Sequence, residues 1–256
     1  MAQPLVIRSL LRHAIRLHSA FRPRIASNQS MAESSTSQAV TAPLVDPTML
    51  FRFETPIRFH AFDPTANSWS LPVECRLPAF STLAGRARFA DVRMAWCQHG
   101  FVFWMQVANK RQLPWCRDGR ALESDGLHLW IDTRNSLDIH RATRYCHHFA
   151  FCPIGGGPRR DRPFASLVPI NRARENPQTI APTSLRIASK LHTNGYQLCG
   201  VIAATALTGF DPRDYSQLGF WWAVKDHELG WQTMTLSSEY PAPENPSLWG
   251  AAQLSK

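Results

Sequence analysis

From Leu127 to Asp132 apolar and polar or aromatic residues alternate at every step, Leu127, Leu129 and Ile131 against His128, Trp130 and Asp132. A side-chain period of two belongs to an extended strand and does not fit a helix. Asp125-Gly126 before the run and Asp132-Thr133-Arg134-Asn135 after it supply turn residues at both ends. The stretch predicts a strand with one face in a core and the other carrying polar and aromatic groups. The pattern returns from Tyr145 to Cys152, with Tyr145, His147, Phe149 and Phe151 on one side and Cys146, His148, Ala150 and Cys152 on the other. About a dozen polar residues, His140, Arg141 and Arg144 among them, separate the two runs, which suits an antiparallel pair with a long loop.

The same short-strand signature recurs along the chain. Phe101, Phe103, Met105 and Val107 alternate with Val102, Trp104 and Gln106, and Gln98-His99-Gly100 predicts a turn back to a strand ending near Trp96. Further strands are expected over 184–191 and 196–204 with Asn194-Gly195 between them, and over 219–224 and 231–236. An edge segment interrupted by Pro56 is expected at 51–62, a mobile connection over the glycine run 153–158, and loop over 163–182. One short helix is expected after residue 204. Nineteen prolines spread through 256 residues favour such short elements over long helices. The resulting expectation is an all-β, antiparallel β-sandwich, jelly-roll-like, over residues 46–256. Residues 1–45 read as a separate leader: a basic amphipathic segment with Arg8, Arg12 and Arg16 on one stripe, then a Ser/Thr/Ala-rich stretch expected to be disordered. Met31 opens the acid-containing part and is an alternative start of the protein.

The charge balance excludes an obvious polyanion binder. Five arginines and no acid lie in the first thirty residues, so the net +9 falls to 23 basic against 19 acidic residues, +4, over the rest. A nucleic-acid partner is therefore not expected. Six cysteines without a CxxC pair give neither a disulfide framework nor a structural zinc site, and free thiols suit a cytoplasmic protein. No secretory signal core or transmembrane span is read.

The order of the pieces resembles the family 9 carbohydrate-binding modules and the related DOMON-like β-sandwiches. The resemblance is carried by GFVFWMQVANK (Gly100–Lys110), by SDGLHLWIDTRN (Ser124–Asn135), by the aromatic strand Tyr145–Phe151, and by GYQLCGVIAATALTGFDP and LGFWWAVKDHELG (Gly195–Pro212 and Leu218–Gly230). It implies a non-catalytic binding module of the same fold, with a carbohydrate or a small polyhydroxylated or anionic molecule as ligand.

Sugar recognition needs an aromatic face for C–H groups and planar polar groups for hydroxyls. Trp130, Trp104 and Trp115 are candidate platforms. The candidate ligand-binding set is Trp130, Asp132, Arg134, His140, Arg141, Arg144, His147 and His148. A metal- or haem-binding alternative rests on His128, His140, His147, His148, Cys146 and Met105, although neighbouring strand residues His147 and His148 point to opposite faces. No metal or other cofactor is expected. No nucleophile elbow or metalloprotease pattern is present, and Asp132 and Asp138 make no assignable acid–base pair, so catalysis is not expected. A purely structural or partner-binding domain is the remaining alternative.

Overall fold

The computed structural model describes residues 45–256, and the predicted leader over 1–45 lies outside them but for Val45. The alternating runs become eleven strands: β1 (Glu54–Phe59), β2 (Ala90–Cys97), β3 (Gly100–Ala108), β4 (Gly126–Asp132), β5 (Cys146–Gly156), β6 (Arg162–Leu167), β7 (Leu185–His192), β8 (Gly195–Ala203), β9 (Gln217–Asp226), β10 (Gly230–Thr233) and β11 (Gly250–Ser255). They join in the order β6-β5-β4-β9-β11-β1-β2-β3-β8-β7, with β10 beside β9. The sheet curls until its outer strands β6 and β7 meet, and Ser189 Oγ of β7 donates to Pro153 O of β5 (2.7 Å). The result is a nearly closed all-β structure. Its helical segments, among the described residues, are 3-10 stretches of three to five residues.

The interior is filled by the side chains that alternation selects. Leu127, Leu129 and Ile131 of β4 meet Phe149 and Phe151 of β5, Phe220, Trp222 and Val224 of β9, and Phe101, Phe103 and Met105 of β3. The Phe103 and Phe151 rings lie 4.5 Å apart across this core. Burying each such side chain stabilises the fold by about 2 kcal/mol. A second cluster covers the outer face of β2, β3 and β8, where Trp69 and Leu71 pack on Ala95, Val102 and Val201.

The sequence expectations need four corrections. The expected short helix is the 3-10 turn Ala204–Ala206. The glycine run is not a loose connection, because β5 continues through Gly156 and pairs there with Arg162. Part of the expected 163–182 loop is β6. Finally, β1 is not an edge segment. It runs parallel to both β11 and β2, so the sheet is not wholly antiparallel. Pro56 is tolerated because β1 pairs with β2 only at Arg58 and Phe59, leaving the proline beside an unpaired length of backbone. The predicted hairpin holds: Thr193-Asn194 joins β7 to β8. Gly195 opens β8 at φ +155°, where a Cβ would stand 2.1 Å from Val107 O.

Candidate functional site

The strand registers define two ends. Gln98, Arg134, Tyr145, the 207–216 loop and Lys256 stand at one, where β4 and β11 finish and β5 and β9 begin. Lys110, Asp125, Asp226 and the β5–β6 hairpin stand at the other.

Four of the eight predicted ligand-binding residues are enclosed. Trp130, Asp132, His147 and His148 are each at most 2% exposed. Strand β4 is buried on both faces, contrary to the expectation of an open polar face. Its second face is covered in part by the chain that follows β9: Trp231 stacks towards His128 at 6.3 Å, and Trp221 Nε1 donates to Thr235 Oγ1 (3.2 Å). Beneath that cover the His148 ring lies flat on Trp130, 4.0 Å away at 9°. His128 Nδ1 and His148 Nε2 share one hydrogen bond of 3.0 Å. Burial, with Lys225 nearby, pushes the His128 pKa down to about 4, and burial beside His128 takes His148 well below the usual imidazole value. Both rings are thus neutral and one donates to the other. His147 faces the opposite side, where its Nε2 accepts from Thr208 N (2.9 Å), and burial lowers its pKa to about 4. Asp132 accepts from the backbone N–H groups of Arg134 and Ser136 (2.9 and 2.7 Å), and burial pushes its pKa up. These residues hold the framework and the β4 turn.

The other four separate into two pairs. His140 Nδ1 meets Ser247 Oγ (3.1 Å) and Arg141 Nε donates to Arg172 O (2.8 Å), so both are engaged by neighbouring loops. Arg134 and Arg144 converge on an aromatic group that the sequence reading did not single out. The Arg134 guanidinium lies between the rings of Tyr145 (4.7 Å) and Tyr215 (4.1 Å), while Nη1 donates to Gly209 O (2.7 Å). Gly209 has φ +74°, and a Cβ there would stand 2.7 Å from Arg134 Nη2. Arg144 approaches Tyr145 from outside at 5.3 Å and Glu175 at 3.8 Å.

A pocket of about 540 Å³ opens at the same end, reached through the same loop. It is lined by Phe59, Trp96, Gln98, Pro212, Arg213 and Lys256. Phe59 stands edge-on to Trp96 (5.3 Å, 85°) and is 38% exposed. Trp96 is nearly covered and its Nε1 donates to Ser255 O (3.1 Å), which fixes the ring. A fixed aromatic wall, one amide and two cationic side chains thus line a single opening. None of these six residues was predicted. The available signal was the aromatic pair at the ends of two strands, but their adjacency depends on the parallel β1–β2 register.

The opposite end is closed by charge. Lys110 Nζ, 1% exposed, donates to Asp226 Oδ1 (2.8 Å) and Asp125 Oδ2 (3.3 Å). Burial alone would lower the Lys110 pKa, but its hydrogen bonds and the two carboxylates leave it raised. Asp125 Oδ1 also accepts from His227 N (2.9 Å) and lies 2.6 Å from His227 Nδ1. The three candidate tryptophans do not form one platform: Trp115 packs on His227 at this end, Trp104 lies under Arg93, and Trp130 is enclosed. Among the described residues no group of three or more His, Cys, Asp or Glu side chains is placed to hold a metal ion. No described helix is long and apolar enough to cross a membrane.

No protein-family model matches the chain, and no curated protein matches it. Its backbone does superpose on solved structures. One is a family 9 carbohydrate-binding module from Caldicellulosiruptor kristjanssonii in complex with cellotriose, with a TM-score of 0.56 and 14% identity over 79% of this chain and 94% of that one. The fold is that of a family 9 carbohydrate-binding module. A structure of a family 9 module from the same organism in complex with glucose gives 0.52 and 14% identity, over 80% of this chain and 95% of the other.

Proposed function

We propose that this protein is a non-catalytic carbohydrate-binding-like module, with its sheet acting as the two facing layers of a β-sandwich and a sugar seated at the Phe59–Trp96 pocket. The observation that carries the reading is the pocket itself: an aromatic wall, Gln98 and Arg213 around about 540 Å³, on a fold shared with modules solved with cellotriose and glucose. The exposed Phe59 ring offers an apolar surface to sugar C–H groups. Gln98 and Arg213 supply planar donors for hydroxyls, and Gln98 an acceptor as well. Arg134, held between Tyr145 and Tyr215, extends the polar rim beside it.

Isothermal titration with cellotriose and glucose tests the proposal. Binding is expected to weaken about ten-fold, or ~1.4 kcal/mol, in Phe59→Ala and in Arg213→Ala. The pocket assignment fails if a sugar binds equally well to both variants and to the unaltered protein. The sugar reading fails if neither these two sugars nor a broad glycan array gives binding.

A further inference from the structure

A basic concavity at the closed end of the strands plays no part in the sugar reading. It measures about 250 Å³ and is lined by Arg117, Asp118, Arg120, Gly155, Gly157 and Arg160. Two turns are brought together to make it. The Arg117–Arg120 turn is tied down by Ser124, whose Oγ accepts from Arg117 N (2.9 Å) and donates to Arg120 O (2.9 Å). The β5–β6 hairpin is closed by Gly155 N to Arg160 O and Arg160 N to Gly157 O, both 3.0 Å. Gly155 lets the two touch, since a Cβ on it would lie 2.9 Å from Cys116. Three arginines therefore line one small space, with Asp118 as the single acidic residue beside them.

Their charges are poorly matched by partners. Arg120 reaches Glu123 (3.2 Å), whereas among the described residues neither Arg117 nor Arg160 has a carboxylate within 4 Å. Arg117 is held instead over the Trp115 ring, 5.0 Å from its centre. Arg160 occupies left-handed backbone, φ +58°, in a hairpin that places glycine at three nearby positions. Glycine or asparagine adopts this conformation with less strain, and two of the other three non-glycine residues with positive φ are Asn109 and Asn135. An arginine that lines the concavity is thus placed where local backbone preference argues against it. Guanidinium forks match the oxygens of phosphate and sulfate, and an anion between them relieves their mutual repulsion.

We propose that Arg117, Arg120 and Arg160 form an anion site for a tetrahedral oxyanion, phosphate or sulfate, either free or as an ester on a sugar. The site is independent of the Phe59–Trp96 pocket.

The test is thermal unfolding of the full chain in sodium phosphate, sodium sulfate, glucose 6-phosphate and glucose 6-sulfate, each against sodium chloride at matched ionic strength. At least one of these probes is expected to raise Tm beyond chloride. A rise with the free anions assigns the site to inorganic phosphate or sulfate, and a larger rise with the esters that persists in Phe59→Ala assigns it to a modified sugar. Arg160→Gly removes the guanidinium while easing the backbone, so its Tm in chloride should hold or rise as its apparent anion affinity falls at least ten-fold. Arg117→Gln should lose the same shift and serves as the reporter if Arg160→Gly folds poorly. Phe59→Ala should keep the shift given by free phosphate or sulfate, which separates this site from the sugar pocket. The proposal is overturned if none of the four probes exceeds chloride, or if both arginine variants respond as the unaltered protein does.

Discussion

Strand β4 is flanked by two buried aspartates that are satisfied by different means. Asp125, just before it, meets an ammonium group and an imidazole, Lys110 and His227. Asp132, at its end, receives backbone N–H groups from its own turn. The first arrangement ties together β3, β4 and β9, segments distant in sequence, and closes that end of the sheet around Lys110. The second is local, so the loops beyond it are free to present aromatic and cationic groups. Tyr215 and Phe59, 39% and 38% exposed, lie at this second end. Lys110 is thus buried between carboxylates at one end of the strands, while Arg134 and Arg213 stand at the other.

The strongest way to break the contrast is to remove its buried cation. Lys110→Met removes the ammonium group that Asp125 and Asp226 share, and is expected to lower stability by about 3–5 kcal/mol. Asp132→Asn keeps the turn geometry and an acceptor oxygen, so its loss should be about 1–2 kcal/mol. Urea unfolding of both variants checks the ranking. Equal losses would mean that the two ends are not held in different ways.

Acid separates the framework from the rims next. His128 and His147 have pKa values near 4 in the folded state, below the ordinary 6.5. Between these values the unfolded chain binds more protons than the folded one, so stability falls as pH drops from about 6.5 towards 4. His147 alone accounts for roughly 3 kcal/mol by pH 4. The urea midpoint at pH 7 and pH 4.5 measures the effect, and His147→Gln should flatten its share of the profile.

Much of this fold was legible because alternation survives translation into strands: β3, β4, β5 and β8 lie where their apolar periods placed them. The strand taken for an edge segment, β1, and the two that were missed, β6 and β11, have weaker patterns. In β1 only Thr55 and Ile57 are buried, β6 has no buried residue, and β11 follows a proline-rich stretch. The candidate site was less legible. His128, Trp130 and His148 look like a displayed face in sequence, but the return of the chain through Trp231 and Thr235 helps to cover them. Arg134 was expected as a ligand-binding residue, but its stacking partners Tyr145 and Tyr215 are 70 residues apart, beyond any local pattern.

The stacked arginine gives a finer test of the open end. Gly209→Ala puts a Cβ 2.7 Å from Arg134 Nη2 and 3.0 Å from Tyr145 Cε1 on left-handed backbone, and should cost about 2 kcal/mol. Arg134→Ala, which loses stacking and one hydrogen bond, should cost about 1 kcal/mol. With Arg134 already removed, Gly209→Ala should cost less, because the nearest clash is gone. A double-mutant cycle in urea reads this coupling, and strict additivity would show that Arg134 does not rest on Gly209.

The smallest change in stability is expected at the proposed sugar wall, and there small size is informative. Phe59 ends β1, pairs with Trp96 in register and leaves more than a third of its surface exposed. Phe59→Ala therefore removes one edge-on aromatic contact and part of a ring's burial, about 1 kcal/mol, without orphaning a polar group. Lys110→Met and Phe59→Ala should consequently rank oppositely in two assays: the first large in urea unfolding, the second large in sugar titration relative to its stability cost. If Phe59→Ala unfolds the chain as readily as Lys110→Met does, the ring belongs to the architecture. The separation between a charge-locked end and a displaying end would then have to be withdrawn for β1, although the stacked Arg134 would still mark the same rim.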